Sequence, residues 1–200
     1  IYFLNTYDPA SRPMHQVVPM TYHEAVPGHH FQLVIERKLD TLPAFRTKGA
    51  LLACGAYVEG WALYSERLSA EMGLYHTPLE RFGAWESEAH RAARLVVDTG
   101  LHAFGWTRQQ SIDVLKRRAG LSQLEAEIET DRYIAWPGQA LSYMTGQREI
   151  LQLRAQLEAR DGERFDLQAF HDQVLGHGSL PLDVLRRHLP GWVHPRRPGA

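Results

Sequence analysis

The sequence predicts a mainly α-helical fold, and three observations carry that reading. Apolar residues recur at helical spacing over long stretches, capping signals punctuate those stretches, and alternating Val/Ile/Thr-rich runs are nearly absent, so little is available to build a sheet. Two hundred residues, 44% hydrophobic and 22% charged, suffice for one domain with a real core, read here as residues 1–200.

Each element follows from local chemistry. Ile1 to Val18 mixes Asn, Asp, Pro and Ser with short apolar pieces and is expected to be an extended lead-in, at most a small strand. Pro19 suits a first helical position, and Tyr22, Phe31, Val34, Ile35 and Leu39 carry a helix to about Leu39, interrupted at Pro27-Gly28. A second helix is expected from Ala50 to Met72. A third runs from Pro78 to about Phe104, where Leu95, Val96, Leu101 and Phe104 form a buried stripe that Gly105 ends. Thr107 with Gln110 and Ser122 with Glu125 match capping boxes, and Gly120 is a natural stop, giving helices over Arg108–Ala119 and Gln123–Ala135. After the Pro137-Gly138 break a long helix spans Gln139 to Arg160, short helices follow from Leu167 and Pro181, and the tail from Pro190 is expected to fray.

Lys and Arg total 22 against 23 Asp and Glu, and a net charge of -1 gives no broad field to draw in nucleic acid or an anionic membrane. No apolar run approaches the ~20 residues of a membrane span. The single cysteine, Cys54, excludes an internal disulfide framework and is expected to be a small core residue. The chain opens inside the apolar run Ile1–Leu4 without an initiator Met, and is read as a fragment with any targeting segment upstream.

Chemistry concentrates in Thr21-Tyr22-His23-Glu24-Ala25-Val26-Pro27-Gly28-His29-His30-Phe31-Gln32, with three histidines and a carboxylate within eight residues. In the zincin pattern two His one turn apart ligate zinc and the Glu after the first acts on the attacking water. A strict match needs His at position 27, which is Pro27. Pro27 removes the N–H that would bond the His23 carbonyl, and Gly28 accepts dihedrals other residues avoid, so the helix can loop out and resume with His29 near His23. A plain kink would instead return His30 to the same face, about 10 Å further along the axis. His23 and His29 are therefore the expected metal ligands, with His30 the alternative, and Glu24 is the expected base. Glu59, flanked by Val58, Gly60, Trp61 and Ala62, is the expected third ligand; Glu66, seven residues on, shares its face as a supporting partner.

The stretch His23–Gln32, Glu59-Gly60-Trp61-Ala62-Leu63-Tyr64, Arg94 to His102, and Arg132-Tyr133 through Pro137-Gly138-Gln139-Ala140-Leu141-Ser142-Tyr143 together resemble the bacterial DUF885 family, over most of the chain. That family resembles, more distantly, the helical gluzincin metallopeptidases. The resemblance implies a gluzincin-like catalytic half, a second ligand in the pair Gly28-His29, and a missing N-terminal helical region of the same protein as the other wall of a substrate channel. It also implies a Tyr in the C-terminal segment that stabilises the oxyanion, for which Tyr143 is the best match, with Tyr133 and Gln139 nearby. From spacing alone, Arg91, Arg94, Asp98 and His102 share one helical stripe that can line a cleft, and His102 is a candidate transition-state donor. His15, His76, His171, His177, His188 and His194 are expected to be ordinary surface or loop residues. The expected activity is zinc-dependent hydrolysis of peptides or small amides, of oligopeptidase or carboxypeptidase type. The alternatives are a hydrolase of non-peptide amides or esters, or a non-catalytic binding module with a vestigial metal site.

Overall fold

The computed structural model describes residues 13–193, with only the backbone described over 48–52. Within that range every regular element is helical. A 3-10 turn at Met14–Gln16 leads into α1 (Val17–Glu24), followed by α2 (His29–Arg37), α3 (Ala44–Ala53), α4 (Gly55–Glu71) and α5 (Pro78–Ala103). Then come α6 (Arg108–Ala119), α7 (Gln123–Ala135), a 3-10 turn at Gln139–Leu141, α8 (Ser142–Asp161), a 3-10 turn at Gly162–Arg164, α9 (Leu167–Gly176) and α10 (Leu182–Trp192). None of these helices is long and apolar enough to cross a membrane.

The capping chemistry holds α5, α6 and α7 to their boundaries. Thr77, Thr107 and Ser122 each exchange side-chain and backbone hydrogen bonds with Glu80, Gln110 and Glu125, satisfying N–H groups that a helix start leaves open. Gly120 ends α6 in the left-handed region at φ 72°, which a side chain would resist.

The central helix is α4, buried from Tyr57 to Ser69 apart from half-buried Glu59 and exposed Arg67. It crosses α8 at two glycines. A Cβ on Gly60 would lie 2.4 Å from Gly146 Cα, and one on Gly146 would lie 1.7 Å from the Ala56 carbonyl oxygen, so only hydrogens let the backbones meet. One core joins α4, α8, α9 and α10 around Trp61, Ile150, Leu153, Phe170 and Leu185; a second joins α5, α6 and α7 around Val97, Ile112, Leu115 and Tyr133. Leu63, Tyr143 and Met144 form a small third cluster.

Several expectations need correction. The described part of the lead-in forms no strand: α1 already starts at Val17, two residues before Pro19, while residues 1–12 lie outside the described range. The helix expected from Ala50 to Met72 is two, because Cys54 (φ -126°, ψ 36°) separates α3 from α4. Half-buried Cys54 packs against the first core, and Tyr57 donates to the Val174 carbonyl at 2.6 Å, so tertiary contacts set the direction of α4. The chain does not fray at Pro190: α10 runs to Trp192, Val193 is buried, and Arg160 donates to the carbonyls of Pro190 and Val193. Three histidines are more than ordinary. His15 pairs with Glu86 at 2.8 Å, His171 Nε2 is hydrogen-bonded to the Tyr64 hydroxyl at 2.7 Å, and His177 stacks on Trp192. His76 and His188 are exposed, and His194 lies outside the described residues.

Candidate metal centre

Helix α1 stops at Glu24, and residues 25–28 leave the helical path before α2 starts at His29. Trp61 Nε1 donates to the Pro27 carbonyl at 2.9 Å, which pins this connection against α4. Gly28 is buried where a Cβ would stand 1.9 Å from the His23 carbonyl oxygen, so its bare backbone is what lets α2 begin against the end of α1. The result sets the His23 and His29 rings edge to face with centroids 4.8 Å apart. His30, one residue on and about 100° around α2, is exposed.

Glu59 reaches both imidazoles from α4. Its Oε2 lies 3.1 Å from His29 Nε2 and 3.5 Å from His23 Nε2. Glu66, two turns further along α4, takes the other side of His23: Nδ1 lies 2.8 Å from Glu66 Oε1. Ser87 donates to Glu66 Oε2 at 2.6 Å, and Arg91 stands 3.8 Å from Oε1. Burial works to raise the Glu66 pKa, but Arg91, His23 and Ser87 outweigh it and hold the carboxyl below its usual range. An ionised Glu66 only accepts, so His23 Nδ1 carries a proton, and its Nε2 faces Glu59 and the cavity. Burial would likewise raise Glu59, yet the two imidazoles hold it low; burial would lower His23, and Glu59 and Glu66 raise it instead.

This donor set fits a small cation. Tetrahedral zinc with nitrogen and oxygen ligands at about 2.0–2.2 Å keeps those ligands about 3.4 Å apart, close to the separations seen here. Donor atoms of His23, His29 and Glu24 also lie within 4.8 Å of one another. Glu59, rather than Glu24, is the ligand the geometry favours, because its oxygen touches both imidazoles; Glu24 lies beside the cluster at the last residue of α1.

The cluster forms one end of a cavity of roughly 690 Å³, with Arg91 and Arg94 of α5, Glu129 and Arg132 of α7, and Tyr143 of α8 around the rest. The Tyr143 hydroxyl accepts from Arg132 (3.1 Å) and Gln139 (3.0 Å), and the Arg94 guanidinium lies 4.5 Å over its ring. Gln139 Nε2 also lies 3.5 Å from Glu59 Oε1. Arg94 is held by the Tyr133 hydroxyl (2.8 Å) and Glu129 (2.7 Å), and buried Tyr133 donates to Glu129 in turn. Tyr133 is thus a support for Arg94.

Two members of the α5 stripe lie elsewhere. Buried Asp98 accepts from the Gly138 N–H at 3.0 Å, fixing the turn before Gln139 (Gly138 φ 82°) without reaching the cavity. His102 is exposed and bonds the Tyr133 carbonyl at 2.9 Å near the end of α7. It is eight residues beyond Arg94, about 12 Å along the helix, and does not line the cavity, so the role of transition-state donor is withdrawn for it. Residues that sequence reasoning passed over are Ser87, Glu129 and His90, which lines the cavity with its Nε2 3.2 Å from the Tyr133 hydroxyl and 3.5 Å from Glu129 Oε2. Ser87 continues the 91–94–98 stripe one turn back, and Glu129 stands three and four residues before Arg132 and Tyr133, spacings that could have flagged both.

An all-helical fold that gathers two imidazoles and two carboxylates at one end of a cavity defines the class: a helical protein with a candidate metal centre. The chain belongs to the DUF885 family, bacterial proteins of unknown function, whose model matches residues 1–189. A solved chain described as a "putative lipoprotein" from Colwellia psychrerythraea is 44% identical and aligns with a TM-score of 0.92 over 96% of this chain and 33% of its own. Another, a "putative lipoprotein of unknown function" from Shewanella oneidensis, is 32% identical with a TM-score of 0.76, over 84% of this chain and 30% of its own. The chain therefore spans about a third of the length of these relatives. No curated protein matches it significantly.

Proposed function

We propose that this chain supplies the zinc-binding and catalytic groups of a metallopeptidase, within a longer protein whose further region completes the substrate channel. The observation that carries this reading is the meeting of His23 Nε2, His29 Nε2 and Glu59 Oε2 at 3.1 and 3.5 Å, with the far nitrogen of His23 held by Glu66. Bound zinc would lower the pKa of a water and polarise the scissile carbonyl.

The protein's own groups do the rest. Glu24 takes a proton from the attacking water and returns it to the leaving amine, which makes a good leaving group of a poor one. Tyr143 donates to the carbonyl oxygen as negative charge builds there. Glu66 fixes the tautomer and orientation of His23, and Gln139 steadies the second oxygen of Glu59. A cavity of roughly 690 Å³ falls among small-ligand pockets of about 300–1,000 Å³ and suits a few residues of peptide.

The test is metal content and turnover of a peptide panel, measured on the protein and on Glu24→Gln. The expected result is one zinc per chain in both, with turnover in the variant lower by about 10²–10⁴-fold. A parent protein that binds no zinc, or a variant as fast as the parent, overturns the reading.

A further inference from the structure

We infer that Arg132 and Gln139 are positioning residues that commit the Tyr143 proton to the cavity, making Tyr143 a fixed donor toward whatever oxygen is bound beside the metal cluster. The inference rests on the hydrolase reading for its purpose, and on hydrogen-bond polarity alone for its logic.

A guanidinium only donates. Arg132 NH2 lies 3.2 Å from Gln139 Oε1, which fixes the Gln139 amide with its oxygen toward Arg132 and its nitrogen away. That nitrogen therefore donates, to the Tyr143 hydroxyl at 3.0 Å and toward Glu59 Oε1 at 3.5 Å. Arg132 NH2 donates to the same hydroxyl at 3.1 Å. A phenol oxygen has two lone pairs and one proton. With both lone pairs taken, the proton has to go elsewhere, and Tyr143 lines the cavity next to His23, His29 and Glu59. The Arg94 guanidinium 4.5 Å over the ring draws electron density from the phenol and strengthens it as a donor.

This arrangement also links the two ends of the site. Gln139 touches Glu59 with the same amide that orients Tyr143, so the carboxylate and the oxyanion donor share one reference point. A freely rotating hydroxyl would spend part of its time donating to a neighbouring acceptor; here its hydrogen-bond partners among the described residues, Arg132 and Gln139, are donors, and no reorganisation is needed as charge develops.

The test is a double-mutant cycle together with a direct view of the proton. Gln139→Leu and Arg132→Met are each expected to lower kcat about tenfold with KM within twofold and zinc content unchanged, and Arg132→Lys to recover most of the loss. Tyr143→Phe is expected to cost about 10²-fold, the loss typical of one oxyanion donor. In the Tyr143→Phe background the Gln139 and Arg132 substitutions are expected to cost nothing further, because positioning has nothing left to position. Equal losses in both backgrounds would make the two residues merely structural and overturn the inference. Independently of turnover, neutron diffraction of the deuterated protein should show the Tyr143 deuteron aimed into the cavity; a deuteron aimed at Gln139 or Arg132 overturns the inference even if hydrolysis is real. If the parent hydrolyses no peptide, the function reading fails while the neutron map still decides the polarity.

Discussion

Replacing Gly28 with alanine adds one methyl group to a buried corner and tests how the histidines are brought together. The new Cβ would stand 1.9 Å from the His23 carbonyl oxygen and 2.4 Å from that of Tyr22, where real Cβ atoms keep at least 3.0 Å. The end of α1 and the start of α2 therefore have to separate by about 1.1 Å, and both contacts are backbone, which cannot rotate away. Overpacking of this kind costs about 1–3 kcal/mol of stability, which leaves the protein folded but less stable. The effect on the proposed zinc site is larger. A zinc site tolerates ligand displacements of about 0.2 Å, so moving His29 away from His23 and Glu59 by several times that amount removes one ligand. The expected outcome is a native circular dichroism spectrum, a lower melting temperature, and zinc affinity reduced at least 10²-fold in chelator competition. A Gly28→Ala protein that binds zinc as tightly as the parent would refute the idea that this close approach sets the ligand spacing.

Other expectations follow from the same geometry. Glu66→Gln should weaken zinc binding about 10–100-fold and also lower the melting temperature of the metal-free protein, because it removes the charge that Arg91, His23 and Ser87 stabilise; competition titration and calorimetry read the two effects. His171 is held down to about 4, by burial and then by Arg154, against 6.5 in an unfolded chain. Above pH 6.5 both states are neutral; as pH falls from 6.5 to 4 the unfolded chain takes a proton the folded one refuses, so stability is lost across that window and levels off below it. After allowance for its partial exposure the loss is about 1–2 kcal/mol, and His171→Gln should remove that slope in urea unfolding at pH 7, 5.5 and 4. Gly146→Ala should cost at least about 3 kcal/mol, since its Cβ would meet the Ala56 carbonyl at 1.7 Å, and a melting temperature within two degrees of the parent would contradict the glycine crossing.

The helices from Pro78 to Asp161 were legible because their ends are written locally: Thr107-x-x-Gln110, Ser122-x-x-Glu125, Gly120 and Pro137-Gly138 each act within a few residues of themselves. The break at Cys54 was not, because apolar residues continue on both sides and the direction of α4 is set by contacts with α9, over a hundred residues away. Around the His/Glu cluster, the 23–29 segment and Glu59 stood out by residue type. Their support did not: Ser87 and Glu129 are common surface residue types whose significance depends on which helix they face. His102 shows the opposite error. Periodicity placed His102 in line with Arg94 and Asp98 but says nothing of how far along the axis the site extends, and it erred on the buried stripe of the same helix, where Val96 and Phe104 are exposed and Leu95 and Leu101 only half-buried.

The hydrogen bond from Trp61 to the Pro27 carbonyl has a bearing on protein engineering. Trp61 is buried in the core shared by α4, α8, α9 and α10, so the short segment between the two imidazoles takes its shape from side chains as distant in sequence as Phe170 and Leu185. The segment is not portable. Grafted onto a helix of another scaffold without an indole to grip its carbonyl, the same dozen residues would relax into an ordinary bend, and the imidazoles would part.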